Sequence, residues 1–326
     1  MKKNMTIRAE KNRLEWIDWM KVIAIYFIVL GHFFSIGDRY IYGFSVQSFF
    51  IISGFLTKND RFFYKKLLFN LIIPMLIISL INFIINILFF QQNITSKSLP
   101  LFIFYVVFGF HKGVGICWFI YTLILLKVLY QYFSPKKLFY ELGVLSLFLA
   151  YILNNNDFNL PSFIYEPNSI ISVFIAYPFY AFGIYLRKYK TSLNSINGKK
   201  YMWGIFVISF IFFLISSHYN DYVWMYKCYY GRNLFLFLLS GIFGTCCVFV
   251  LAKLLGRTSK IILIISKGTI IILGFHMYFI KIYRAFFQNS YVDFIVAAII
   301  IIFFIPMIIL FNNYFPLIIG KYRHLS

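Results

Sequence analysis

Uninterrupted apolar stretches recur along this chain, and they leave few folds open to it. Residues Leu67–Phe90 and Phe294–Leu310 are two of them, and each falls within the roughly 17–25 residues that a helix needs to cross a bilayer. In hydrocarbon every backbone N–H and C=O must be satisfied within the segment, so successive apolar runs of this length specify helices. Composition agrees. Only 13% of residues are charged and 61% are hydrophobic, with a mean hydropathy of +0.80. Soluble domains carry about 25% charged residues, and a chain this poor in them cannot cover a water-facing surface.

The pattern predicts an all-α, polytopic membrane bundle of about ten helices: 16–37, 41–57, 66–90, 114–133, 138–154, 169–188, 201–217, 232–254, 260–285 and 291–318. Residues Leu99–Phe110 are apolar but short for a span, which suits an interfacial or re-entrant segment. We expect a single domain over 1–326 with a short leading segment, 1–15. The basic start followed by Val22–Phe34 imitates a signal peptide, but Phe34-Ser-Ile-Gly-Asp38 lacks a small-x-small cleavage site and the first helix reads as uncleaved.

A net charge of +21 raises the possibility of nucleic acid, which binds basic patches. The cations form no single patch. They fall in short clusters between apolar runs: Lys2, Lys3, Arg8, Lys11 and Arg13; Lys58, Arg61, Lys65 and Lys66; Lys136 and Lys137; Arg187, Lys188, Lys190, Lys199 and Lys200; Lys253, Arg257 and Lys260; Lys321 and Arg323. Arg39, Lys97, Lys112, Lys227, Arg232, Lys281 and Arg284 remain on the other side. That asymmetry is the positive-inside rule, with both termini cytoplasmic. It argues against a nucleic-acid partner. The four cysteines have no metal-ligand spacing, and no metal is expected.

Ionisable groups inside spans are costly and usually face a cavity or a partner. The first helix carries Asp18, Lys21 and His32. Asp18 and Lys21 are three apart, close enough to pair on one face. Lys21 and His32 are eleven apart, almost three whole turns, so both point the same way about 16 Å apart along the axis. A basic residue near the cytoplasmic mouth and an imidazole deeper on the same face would line one tunnel, although Lys21 alone also suits a lysine snorkelling to water. The ninth helix repeats the arrangement, with Lys267 low and His276 about 22 Å along it. Trp118 suits either an interfacial aromatic belt or a substrate-stacking role. Ser53-Gly54 permits close helix packing. His111, His218, Asp157, Glu166 and Asp221 fall in outer loops as solvated residues.

The run from Trp16 to Gly31-His32, with ten residues between Lys21 and the histidine, resembles the opening of the acyltransferase 3 family. Phe49-Phe-Ile-Ile-Ser-Gly-Phe-Leu56 is similar to that family's second-helix signature. Lys65-Lys66 with Pro74, Trp118-Phe119, Pro178-Phe-Tyr-Ala-Phe-Gly183 and Ile265-Ser-Lys-Gly-Thr269 with His276 follow in the family's order. The branch most similar comprises small members that O-acetylate sugars of bacterial envelope glycans. Three departures stand out. Lys21 replaces a usual Arg, keeping charge without the bidentate fork. Ser45-Val46-Gln47 replaces a His-Met-Pro of some relatives, and Asn70 replaces a second basic residue. The last two bear on substrate identity.

The resemblance implies a multi-pass enzyme of the bacterial plasma membrane that transfers acetyl from acetyl-CoA to a hydroxyl of a surface polysaccharide or lipid-linked sugar. It implies His32 as general base, or as the site of a transient acyl-histidine, with His276 orienting the acceptor or stabilising the thioester oxygen. Lys21, Lys267, Lys65 and Lys66 would bind coenzyme A phosphates, and Trp118 the acceptor. No carboxylate that could orient His32 is evident. Two other classes fit the buried ionisable groups: a transporter or flippase for a polysaccharide intermediate, and a non-catalytic membrane subunit in which His32 is dispensable. No inverted repeat supports the transporter.

Overall fold

A computed structural model of the chain describes residues 13–33, 37–58, 60–89, 98–134, 138–154, 167–196, 198–287 and 292–321. Lys2, Lys3, Arg8, Lys11, Lys97, Lys136, Lys137, Asp157, Glu166 and Arg323 lie outside the described residues. The helices are α1 (Glu15–Gly31), α2 (Asp38–Tyr42), α3 (Ser45–Leu56), α4 (Phe63–Phe89), α5 (Ser98–Val107), α6 (His111–Phe133) and α7 (Glu141–Asn154). There follow α8 (Ser169–Ser195), α9 (Lys199–Asn220), α10 (Leu234–Leu255), α11 (Lys260–Lys267), α12 (Thr269–Phe286) and α13 (Asp293–Tyr314). The protein is thus an all-α polytopic bundle; among the described residues there is no strand, only two isolated bridges. Seven helices, α4, α6, α8, α9, α10, α12 and α13, are long and apolar enough to cross a membrane. The expected helices at α1, α3 and α7 are present but shorter than that, at 17, 12 and 14 residues.

Lipid as solvent explains the outer surface. Ile208, Ile211, Phe212 and Ile215 on α9, and Ile299, Ile302 and Phe303 on α13, are exposed, which is tolerable only where hydrocarbon replaces water. Helix starts are capped where the sequence offers a short polar side chain. Asn168 accepts from Ile170 N at 2.7 Å, Asn233 from Phe235 N at 2.8 Å and Ser259 from Ile262 N at 3.3 Å.

The short α3 lies at the centre, against α1, α8 and α10. Glycine makes this possible. A Cβ on Gly54 would stand 2.1 Å from Tyr180 O, and one on Gly183 would stand 2.1 Å from Ile51 O. The two backbones touch, as small residues allow in membrane bundles. Two polar side chains of α3 reach partners: Ser48 Oγ meets Thr245 Oγ1 at 2.9 Å and Gln47 Nε2 donates to Tyr42 O at 3.0 Å. Ile25, Phe50, Ile78 and Leu123, from α1, α3, α4 and α6, are buried in one apolar cluster.

Three local expectations change. First, α1 ends at Gly31, so His32 is its C-cap and not a residue deep within a longer span. The carbonyls that would have continued the helix are taken by side chains: Tyr42 Oη donates to Gly31 O at 3.0 Å, and Arg284 donates to Phe33 O. Second, the ninth helix is broken at Gly268 into α11 and α12. Ile308 of α13 presses there, where an added Cβ would come within 2.4 Å of its side chain. Lys267 and His276 therefore sit on different helices. Third, Asp18 does not pair with Lys21. Its carboxylate accepts from Arg13 Nε at 2.6 Å and from Ser266 Oγ at 2.5 Å, which ties α1 to α11.

Candidate functional site

The end of α1 opens into a cavity of about 330 Å³ walled by seven parts of the fold. From α1 come Ile28 and His32, from the next turns Tyr42 and Val46, and from α4 Asn82 and Asn86. The start of α6 contributes His111, Trp118 and Phe119, the loop after α9 contributes Trp224 and Tyr226, and α12 contributes Gly274, Tyr278 and Lys281. Its wall is mostly apolar and aromatic, with a few polar groups, as small-molecule sites are.

His32 faces this space with Tyr42 and His276 as ring neighbours, at centroid distances of 6.2 and 5.0 Å. His276 is fully buried and stands behind His32, outside the cavity wall. Its Nδ1 lies 2.8 Å from Ile272 O and 3.1 Å from Leu273 O. A backbone carbonyl only accepts, so Nδ1 carries a proton; in the neutral ring Nε2 is then an acceptor. Nε2 makes no hydrogen bond among the described residues. The sequence showed no carboxylate to orient His32; the group that the fold places beside it is a second imidazole.

The loop after α9 is held firmly enough to serve as a wall. Asn220 Nδ2 donates to Tyr230 O at 2.6 Å and Asn220 Oδ1 accepts from Asn233 N at 2.9 Å. Asp221, at φ 70°, bridges Arg39 at 3.0 Å and Arg232 at 3.1 Å. Tyr226 packs its ring 4.9 Å from that of His111 and 6.4 Å from that of Trp118. Lys227 covers Trp224 and Tyr226 from outside, 4.8 and 5.6 Å from their centroids. Asn82 donates to Gly274 O at 3.2 Å, while its Oδ1 has no partner among the described residues.

Among the residues singled out in the sequence, His32 and Trp118 share the cavity and His276 backs it. Val46, from the stretch that departs from the family pattern, also lies in the wall. The cations lie elsewhere. The cavity reaches no further down α1 than Ile28, so Lys21 does not line it; the inner half of that helix is filled by Ala24 and Ile25. The Ser266–Asp18 bond brings Lys267 to the level of the first turns of α1, near Lys21. Lys65 and Lys66 are exposed on the first turn of α4. Lys66 donates to Asp60, and this hydrogen bond holds the Asp60 carboxyl below the usual carboxylate range.

Tyr42, Asn82, His111, Tyr226 and Lys281 were not singled out as site residues, and His111 was read as a solvated loop residue. They come from separate elements, and no local spacing announces their meeting. The nearest signal was Tyr42, ten residues beyond His32 at the end of α2.

A family model described as an acyltransferase domain matches residues 14–311. No curated protein matches the chain, and no solved structure does.

Proposed function

The chain belongs to the acyltransferase 3 family, and on that footing we propose that this membrane enzyme moves an acetyl group from acetyl-CoA to a hydroxyl of a cell-surface glycan or its lipid-linked precursor. The observation that carries this reading is His32 in the wall of an aromatic cavity, with His276 packed behind it at 5.0 Å. A sugar hydroxyl becomes an effective nucleophile only as a base removes its proton, and histidine is the commonest such base. His32 takes that proton while the oxygen attacks the thioester carbonyl. The C–S bond then breaks, and the departing thiolate receives the proton back from His32. The products are an acetyl ester and free coenzyme A.

The remaining residues divide the work of binding. Trp118, Trp224 and Tyr226 offer flat faces to the apolar sides of a sugar ring, and Asn82 and Asn86 offer amides to its hydroxyls. His276 acts through His32: its Nδ1 proton is committed to the backbone, so Nε2 is free to accept an N–H of His32 and turn the other nitrogen of that ring to the cavity. For the donor, the cations at the opposite end of α1 suit phosphates: Lys21, Lys267 and Lys65, with Lys66 shared with Asp60. About 16 Å of helix separates Lys21 from His32, a length comparable to a coenzyme A arm. Membership of an acyltransferase family leaves the transporter alternative without support.

The test is NMR of purified surface polysaccharide from a deletion strain complemented with the wild-type gene or with His32→Ala. O-acetyl signals restored by wild type and absent with equally expressed His32→Ala are the expected result. Acetylation unaffected by the deletion refutes the reading.

A further inference from the structure

At the Glu15 end of the bundle, away from the His32 cavity, two cations meet one threonine that the reaction above does not use, and a third follows one of them in the chain. Thr57 follows the last turn of α3, and the Trp16–Phe55 ring contact of 5.4 Å fixes which end this is. The Thr57 carbonyl accepts from the Arg187 guanidinium. Its hydroxyl accepts from Lys127 Nζ at 3.0 Å, lies 2.9 Å from Tyr180 Oη, and donates to Ser53 O at 2.8 Å. One proton and two lone pairs are all a hydroxyl has, so Thr57 is saturated.

The cations are not. An ammonium has three N–H donors and a guanidinium five, and Lys127 and Arg187 each give one to Thr57. Lys188 stands next to them, over the Tyr140 and Tyr185 rings at 5.7 and 5.5 Å. Among the described residues no carboxylate comes within ion-pair distance of any of the three. Beside them lies a cavity of about 580 Å³ walled by Tyr130, Ser134, Tyr140, Arg187 and Lys188, with no acidic residue in its lining. Tyr130 is one turn from Lys127 on α6, so the half-buried lysine and the cavity belong to one neighbourhood.

Positive charge held within a membrane bundle is expensive unless an anion meets it. No side chain of the described residues does so here, and the polar groups of the lining, which stand beside the apolar Phe139 and Ile184, are all able to donate. We propose that this pocket is a phosphate-binding site that takes a phosphate monoester or diphosphate on the Arg187 fork, with Lys188 and Lys127 sharing its charge and the Tyr130, Ser134 and Tyr140 hydroxyls donating to its oxygens. An arginine beside lysines matches phosphate recognition, since the guanidinium binds two oxygens at once and the ammonium acts as a point charge. The phosphate belongs either to a nucleotide-bearing acyl donor or to an anionic lipid headgroup; the first source rests on the donor reading above and the second does not.

The test uses the full-length protein purified in an uncharged detergent. Adenosine 3′,5′-bisphosphate is titrated by calorimetry, and phosphatidylglycerol is offered in phosphatidylcholine nanodiscs. Each is repeated with Arg187→Gln, Lys127→Met, Arg187→Lys and the exposed control Arg257→Gln, with thermal unfolding recorded for all. At least one probe binds wild type, and Arg187→Gln and Lys127→Met each weaken it roughly tenfold, the loss of one charge-assisted hydrogen bond. Arg187→Lys weakens it less, and Arg257→Gln leaves it unchanged. Binding of the bisphosphate alone assigns the nucleotide, and binding of phosphatidylglycerol alone assigns the lipid. The proposal is overturned if neither probe binds, if the folded variants bind as wild type does, or if Arg257→Gln weakens binding as much. Acetyl transfer is read separately by the His32-dependent O-acetyl signal, so either idea can fail alone.

Discussion

Substituting Gly54 by Ala probes the closest backbone approach in the fold. The new methyl carbon would lie 2.1 Å from Tyr180 O and 3.0 Å from its carbonyl carbon, where ordinary contact begins near 3.4 Å. Both obstacles are main chain, and neither can swing aside. Helices α3 and α8 must therefore part by more than an ångström. Overpacking of this kind costs about 1–3 kcal/mol, and a rigid obstacle puts Gly54→Ala at the upper end, about 3 kcal/mol. At roughly 2–4 °C per kcal/mol, the unfolding midpoint falls by several degrees. Gly183→Ala produces the same loss from the other side, because its Cβ would meet Ile51 O at 2.1 Å. One separation relieves both collisions, so the double variant is destabilised by at least 1 kcal/mol less than the sum of the singles, as coupled neighbours behave. The assay is size-exclusion chromatography of heated, detergent-solubilised protein, comparing the four forms. Singles that melt with wild type, or a strictly additive double variant, would refute the claim that α3 and α8 touch backbone to backbone.

Two further outcomes follow from charge placement. Asp293 is 2% exposed and holds Arg284 at 2.9 Å, which in turn donates to the carbonyl next to His32; Asp293→Ala removes the buried carboxylate from that guanidinium and lowers stability by about 3 kcal/mol, measured in the same melting assay. Asp60→Asn releases Lys66 without disturbing anything packed, so the unfolding midpoint stays put while KM for acetyl-CoA falls a few-fold in steady-state kinetics; an unchanged or raised KM would remove Lys66 from the donor site.

How far the sequence foretold this arrangement depends on whether the cause was local. Apolar runs announce helices because lipid offers the backbone no other partner, and even the short buried α3 was visible through Phe49–Leu56. Ser53-Gly54 announced close packing, and the tyrosine carbonyl it packs against lies in the similarly spaced Pro178–Gly183 segment. The break at Gly268 had a local sign in the polar stretch Ser266-Lys267-Gly268-Thr269, which a single helix over 260–285 runs through, whereas the packing of Ile308 against Gly268, forty residues further on, had none. Asp18 and Lys21 had the spacing of a pair, but Arg13 and Ser266 supplied better partners. His32 and His276 were each recognisable alone. Their contact, and the recruitment of Tyr42, His111 and Tyr226 around them, depend on helices that only tertiary packing brings together.

Ile25, Phe50, Ile78 and Leu123 belong to one buried apolar cluster, and apolar packing of this kind resists the passage of charge. A membrane potential of 100 mV puts about 2.3 kcal/mol on each elementary charge that crosses it. A standing file of water between the two ends would let protons follow that gradient and short-circuit the membrane. Where aliphatic and aromatic side chains pack without water, polar groups can stand elsewhere in the bundle while the bilayer keeps its resistance.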